Sequence, residues 1–477
     1  MSDMVHECGV FGAYNVAHAA TTCFYGLYAL QHRGQEGAGI VTCDTSQFFV
    51  VKDSGLVSDI FNKESLTYLK GTNGIGHVRY STTGGNNKAN IQPMYSKTSK
   101  GKIAIAHNGN ITNAYVLYNQ LKEAGALFQS TIDSEVLLHL FATSKKRSPL
   151  EAMQDTLSHL EGAFSIVAMG DGYLMAARDP NGFRPLALAK LGKGYVIASE
   201  TCAFDLLNAD YVRDIEPGEL IMITDDGVES HRFAEPLKRV SQCIFEHVYF
   251  ARPDSDIFGL NVHQARKEMG RQLALQSPVD ADMVIGIPDS GNSAALGYAE
   301  ASGLPLEMGI IRNHYVGRTF IQPRQRIRSL GVKVKLNPVK SVIQGKRLVV
   351  IDDSLVRGTT SKERVSALRR AGAKEIHLRI SSPPVIGPCF YGIDTPSKDQ
   401  LIAANYSIAA ICEYIGADTL AFLSVKNLLR AVQDDPHNRF CTACFDGKYP
   451  VKVTHKGKKI FESRKERIQL YGTSNRY

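Results

Sequence analysis

The chain has 477 residues, 44% hydrophobic and 21% charged, with a formal net charge of +8; that length is too great for one ordinary core and suits two. No run of about eighteen apolar residues offers a membrane span, and the opening MSDMVHE has neither the cationic segment nor the apolar stretch of a secretory signal. The positive excess gathers between Arg312 and Lys340 and beyond Lys448, a distribution that serves small anionic substrates, so a cytoplasmic enzyme with no membrane or nucleic-acid partner is the expectation.

From Cys8 to about Arg232 short β-rich runs alternate with turns, and helical patterns interrupt them at Ala19 to Gln31 and Asp133 to Ala142. Alternation in YVIASE and ELIMITDD predicts paired strands of an α+β domain. From about Ala281 apolar runs end in glycine-bearing turns and lead into amphipathic helices: MVIGI before PDSGNSAALGYAEASG, then RLVVI before DDSLVRGTTSKERVSALRRAGA. Strand, turn and helix in that order spell a parallel α/β sheet. A boundary near Glu235, ahead of Pro236, divides the chain into a first domain, 8–235, and a second, 236–477. Nine cysteines, an odd number in a large chain without a secretory signal, disfavour structural disulfides and bring forward metal ligation or catalysis.

Cys8 lies in ECGVFG, near enough to the start that removal of seven residues would make it a new N-terminus. A terminal α-amine titrates at about 7.7–8.0, so it can take the thiol proton and later return it to departing ammonia. The thiol itself is a strong nucleophile. Taken alone, a cysteine there reads as a small buried hydrophobe; its companions reverse this. ECGVFG, LQHRGQEGAGI, GHVRYSTTG, AHNGNITN and TIDSE follow in order, and together they resemble the class II glutamine amidotransferases. The resemblance implies the αββα fold of the N-terminal-nucleophile hydrolases and a propeptide, 1–7, cleaved after Glu7. It also implies that Arg79 grips the substrate α-carboxylate and Asp133 its α-ammonium. Glutamine carries both charges at one end, so one cation and one anion aim its amide at the thiolate. The Asn108 side chain and the Gly109 N–H are expected to face the oxyanion, glycine leaving that amide open. His32, Arg33 and Gly34 are expected to form a loop over the site, with no chemical step.

RLVVIDDSLVRGTTS joins an apolar strand, two acids and a small-residue turn that opens a helix. Helix-start N–H groups with the hydroxyls of Ser354, Thr359 and Thr360 suit a 5-phosphate, and Gly358 lets the backbone approach it. Asp352 and Asp353 suit ribose hydroxyls and a hydrated Mg²⁺, although a bare Asp-Asp pair also reads as a helix cap. The full motif, Arg357 included, resembles the signature of the type I phosphoribosyltransferases. That resemblance makes IPDSGNSAA the pyrophosphate loop, with Ser290 giving an oxygen to Mg²⁺ and Asp289 and Gly291 shaping the turn. It makes Arg312, Arg318, Arg324, Arg326, Arg328 and Lys333 part of a mobile loop that closes on phosphoribosylpyrophosphate and expels water.

Cys441 and Cys444 form FCTAC, a CxxC compatible alone with zinc, redox chemistry or nothing. With Cys243 and with Cys389 in SSPPVIGPCFYG they resemble the ligand set of the iron–sulfur branch of the glutamine phosphoribosylpyrophosphate amidotransferases, which also carries a propeptide. One structural [4Fe-4S] cluster per subunit on Cys243, Cys389, Cys441 and Cys444 is implied, beside one Mg²⁺, with zinc on the same four sulfurs the rival. Cys23, Cys43, Cys202 and Cys412 read as core. The resemblance covers nearly the whole chain. It implies transfer of ammonia from glutamine to C1 of phosphoribosylpyrophosphate, inhibition by purine nucleotides and a homotetramer. Two other readings compete. One is a phosphoribosylpyrophosphate-binding regulatory protein, although no helix-turn-helix pattern precedes the second domain. The other is an ammonia-only phosphoribosyltransferase with an inactive glutaminase.

Overall fold

A computed structural model describes residues 8–80, 88–235, 237, 239–313, 336–433 and 440–453. Its first half is built on thirteen strands: β1 (Gly9–Tyr14), β2 (Gly37–Asp44), β3 (Gln47–Ser54), β4 (Asn73–Arg79), β5 (Met94–Thr98), β6 (Gly101–Ile111), β7 (Gly162–Gly170), β8 (Tyr173–Arg178), β9 (Ala187–Leu191), β10 (Gly194–Ala198), β11 (Asp210–Asp214), β12 (Glu219–Thr224) and β13 (Gly227–Arg232). They form a seven-stranded sheet, β11-β9-β10-β1-β4-β2-β3, and a six-stranded sheet, β13-β12-β8-β7-β6-β5.

Side-chain alternation sets the layers. On β1, Val10 and Tyr14 enter the apolar layer between the sheets, while Phe11 and Ala13 pack outward with the helix Ala19–Ala29. On β6, Ala104 and Ala106 point inward, and Ile103 and Ile105 meet the layer of helices Ala114–Glu123, Glu135–Thr143 and Pro149–Ser158. Strands with a period of two and both faces covered give helix, sheet, sheet, helix, the αββα arrangement expected. The helix expected from Asp133 begins instead at Glu135, because the Asp133 carboxylate accepts from the Ile111 N–H on β6 at 2.9 Å.

The second half centres on four parallel strands in the order β15 (Met283–Gly286), β16 (Arg347–Asp352), β17 (Glu375–Ile380) and β18 (Thr419–Phe422). Two-residue strands, β14 (Gln242–Cys243) and β19 (Phe440–Cys441), pair in parallel beside it. Leu348 and Val350 of β16 enter one core, and Val349 and Ile351 the other, as expected of a parallel sheet covered on both faces. The second of these cores also takes in Ala163 and Phe183 from the first half, so apolar packing runs unbroken between the two. No helix among the described residues is long and apolar enough to cross a membrane.

Candidate active sites

Cys8 stands one residue ahead of the Gly9–Val78 pair of β1 and β4, which brings it beside Arg79. Its buried thiol donates to the Tyr80 carbonyl at 3.5 Å. Burial pulls the Arg79 guanidinium below its ordinary value, and the nearby Cys8 and Glu36 pull it back up.

Across the sandwich, β6 carries Asn108 and Gly109 opposite Ser165 and Phe164 of β7. Asn108 is buried, and its Nδ2 has no hydrogen-bond partner among the described residues. Gly109 has φ 145°, and a Cβ there would lie 2.0 Å from the Ala163 carbonyl oxygen, so the strand admits no side chain. Around this stretch the polar groups are locked. The His107 N–H donates to Gln92 Oε1 at 2.8 Å, and its ring Nδ1 lies 2.9 Å from Ser134 Oγ and 4.0 Å from Asp133. Burial holds His107 below the usual imidazole value.

Residues 32–34 do more than the loop expected of them. Arg33 is 1% exposed, and its Nε donates to the Cys8 carbonyl at 3.0 Å. Its other nitrogens reach Glu200 at 2.5 Å and Glu246 at 2.8 and 2.9 Å, and Glu246 also accepts from Arg184 at 3.2 Å. Burial pushes the Glu200 carboxyl up, but His32, Arg33 and its hydrogen bonds together hold it well below the carboxylate range. Sequence reading missed Arg184, Glu200 and Glu246. Charged residues far apart in the chain give no local signal that they meet.

In the second half, the carboxyl ends of β15 and β16 lie side by side, and their loops meet there. Asp352, Asp353 and Ser354 are buried. Asp352 pairs with Arg364 at 2.5 Å, while Asp353 accepts from Ser354 Oγ at 2.5 Å and from Ser290 Oγ of the other loop. Burial, then the charge of Asp352, pushes the Asp353 carboxyl up to about 6. Gly291 opens the helix Gly291–Ser302 against β16, where a Cβ would come within 2.6 Å of the Ile351 carbonyl oxygen. Gly358, at φ 76°, precedes the helix Thr359–Arg370, whose first turn holds exposed Thr359 and half-buried Thr360. Asp289 pairs with Arg312, and Arg357 donates to Gln400 at 3.0 Å. Lys333, Arg318, Arg324, Arg326 and Arg328 lie outside the described residues, as do residues 1–7.

Cys243, Cys389, Cys441 and Cys444 line one small cavity with Phe183 and Tyr391. Cys243 and Cys441 face each other in the β14–β19 pair, and Cys389 Sγ accepts from the Tyr391 N–H at 3.3 Å. Burial and the neighbouring cysteines push Cys444 far above the usual thiol value; burial is also the main cause that takes Cys441 to about 12. No disulfide joins any of the nine cysteines, and Cys412, expected in the core, is half-buried. Among the described residues no three His, Cys, Asp or Glu side chains are arranged to hold a metal ion as they stand.

Known proteins match this architecture. A family model described as a glutamine amidotransferase domain matches residues 77–205. The amidophosphoribosyltransferase of Bacillus subtilis (strain 168) is 50% identical over 451 residues, covering 94% of each chain. That of Mycobacterium tuberculosis (strain ATCC 25618 / H37Rv) is 50% identical over 472 residues, covering 96% of this chain and 89% of its own. The solved glutamine phosphoribosylpyrophosphate amidotransferase from B. subtilis complexed with ADP and GMP superposes with a TM-score of 0.89 at 49% identity, covering 94% of this chain and 98% of that one. With half of its residues shared over nearly its whole length, this chain belongs to the amidophosphoribosyltransferase family.

Proposed function

We propose that the two sites carry the two halves of the family's reaction, hydrolysis of glutamine at Cys8 and transfer of the ammonia to C1 of phosphoribosylpyrophosphate, giving 5-phosphoribosylamine, glutamate and pyrophosphate. The observation that carries the reading is the continuous core in which Ala163 and Phe183, from the Cys8 half, pack with Val349 and Ile351 of the strand ending at Asp352. Ammonia lost to water would be protonated, so joined sites serve the transfer. Purified enzyme given glutamine, phosphoribosylpyrophosphate and Mg²⁺ should release glutamate and pyrophosphate in equal amounts; glutamate without pyrophosphate would sink the proposal.

In this reading Glu7–Cys8 is cleaved and the freed α-amine takes the Cys8 thiol proton. Arg79 and Asp133 hold the two charged ends of glutamine, and the Asn108 Nδ2 and Gly109 N–H receive the oxyanion. The unpartnered Asn108 donor supports that role. At the second site the N–H groups and hydroxyls of Ser354, Arg357, Gly358, Thr359 and Thr360 take the 5-phosphate. Asp289, Ser290 and Gly291 take the pyrophosphate with Arg312 and Lys333. Oxygen donors suit Mg²⁺, and a buried acid pair with two hydroxyls gathered on one of its carboxyls fits such a cation; Ser290, Asp352 and Asp353 would hold it, and it would neutralise the departing pyrophosphate.

The domain limits 8–235 and 236–477 belong to the same proposal. A cavity lined by four cysteines among apolar and aromatic residues, with a strongly desolvated Cys444 thiol, fits a [4Fe-4S] group on Cys243, Cys389, Cys441 and Cys444. Such a group would brace the fold, and iron analysis with near-visible absorption tests it against zinc. A homotetramer inhibited by purine nucleotides completes the reading; the B. subtilis relative complexed with ADP and GMP supports the second part.

A further inference from the structure

Two routes tie the Cys8 site to one short stretch of the second half, residues 390–392. The first is a chain of buried charge. Arg33 donates to the Cys8 carbonyl and grips both oxygens of Glu246; Glu246 accepts in turn from Arg184. Arg184 Nε and Nη2 then donate to the Tyr391 carbonyl at 2.9 and 2.6 Å. The second route is direct. Asn110 Nδ2 donates to the Phe390 carbonyl at 2.8 Å, and Gly392 packs so closely on Gly109 that an added Cβ would lie 3.0 Å from its Cα and carbonyl carbon. One stretch of chain is therefore linked to the backbone of the nucleophile through three side chains and touches the oxyanion strand directly.

We propose that Glu246 and Arg184 are positioning residues for glutamine hydrolysis, fixing the separation of Cys8 from Gly109 by fastening both to residues 390–392. The proposal rests on the roles given to Cys8 and Gly109 above. Arg33, Arg184 and Glu246 are each at most 1% exposed, and a buried ion pair contributes little net stability. Its bidentate, directional bonds fix geometry instead. Neither residue is among those assigned to substrate above. Their effect is carried by the backbone they hold, where a shift of about 1 Å costs on the order of 10²-fold in rate.

The test is Glu246→Gln in the full chain, which keeps the shape and removes the charge. We expect glutamine-dependent kcat to fall about 10- to 100-fold, with glutamine KM changed less than about threefold and ammonia-dependent pyrophosphate release within about twofold of the parent. Asn110→Ala, which cuts the direct route at a half-buried position, should show the same selective pattern with a fall of about fivefold. Unchanged glutamine turnover in Glu246→Gln, or a rise in KM alone, overturns the proposal. Should Glu246→Gln lose both reactions, Asn110→Ala decides: a selective fall supports the proposal and full turnover overturns it. Cys8→Ala separates the two levels. Glutamine use that survives it defeats the site reading; glutamine use lost there but intact in Glu246→Gln defeats the coupling alone.

Discussion

At the end of β6 the Asn108 amide is buried with its donor unpartnered among the described residues, whereas at the end of β16 the Asp353 carboxylate already accepts from Ser290 and Ser354, and Asp352 holds Arg364. The difference suits the roles proposed for the two sites. An oxyanion forms only during reaction, and donors fixed in place beforehand stabilise it without reorganising. Two neighbouring buried acids, by contrast, are costly unless something answers their charge, and here two hydroxyls and an arginine do so. On the roles proposed above, the first site is a frame set in advance and the second exchanges its partners for ligand.

The sharpest way to break this comparison is Cys8→Ala. Glutamine-dependent synthesis should fall by at least about 10⁴-fold while the ammonia-dependent rate stays within about twofold; parallel loss of both would show that the halves are not separate. Asn108→Ala should lower glutamine-dependent kcat by about 10²–10³-fold, or 2.7–4 kcal/mol, and again spare the ammonia reaction. Stopped assays with each nitrogen source measure both.

Asp353 sharpens the other side. Burial and Asp352 raise its carboxyl to about 6, so folding favours the protonated form. Its stabilising contribution is complete below the ordinary carboxylate value and is lost as pH rises through about 6. Asp353→Asn, which never ionises, should therefore be more stable than the parent at pH 7.5 by roughly 3 kcal/mol, and the gain should vanish towards pH 4. Urea unfolding across that range measures it, and the same variant should lose synthesis with either nitrogen source. The smallest effect belongs to Lys88→Ala. Its pair with Asp53 is open to solvent, at 73% and 47% exposure, and removal should leave the urea midpoint unchanged within error.

The sequence carried most of this contrast wherever one segment supplied both the structure and the chemistry. The alternation of β1 and β6 and the strand–turn–helix order around Asp352 follow from local pattern, and Asn108, Gly109 and Asp353 stand within such segments. The buried ions were illegible. Arg33, Arg184, Glu200 and Glu246 are ordinary surface types by composition, and only the fold brings them together. Asp133 shows the same limit on a small scale. Its helical neighbours argue for a helix beginning there, but a backbone N–H on another strand claims its side chain. Cys243, Cys389, Cys441 and Cys444 were grouped by resemblance, and their shared cavity needs a fold that joins distant stretches.

Cys243 and Cys441 oppose each other across β14 and β19, yet about two hundred residues of chain lie between them. A ribosome adding about 5–20 residues per second leaves Cys243 waiting on the order of 10–40 seconds for that neighbour to be made. A chain broken off before Phe440 therefore never closes the sulfur-lined cavity. Closing that cavity requires that synthesis has passed Cys444.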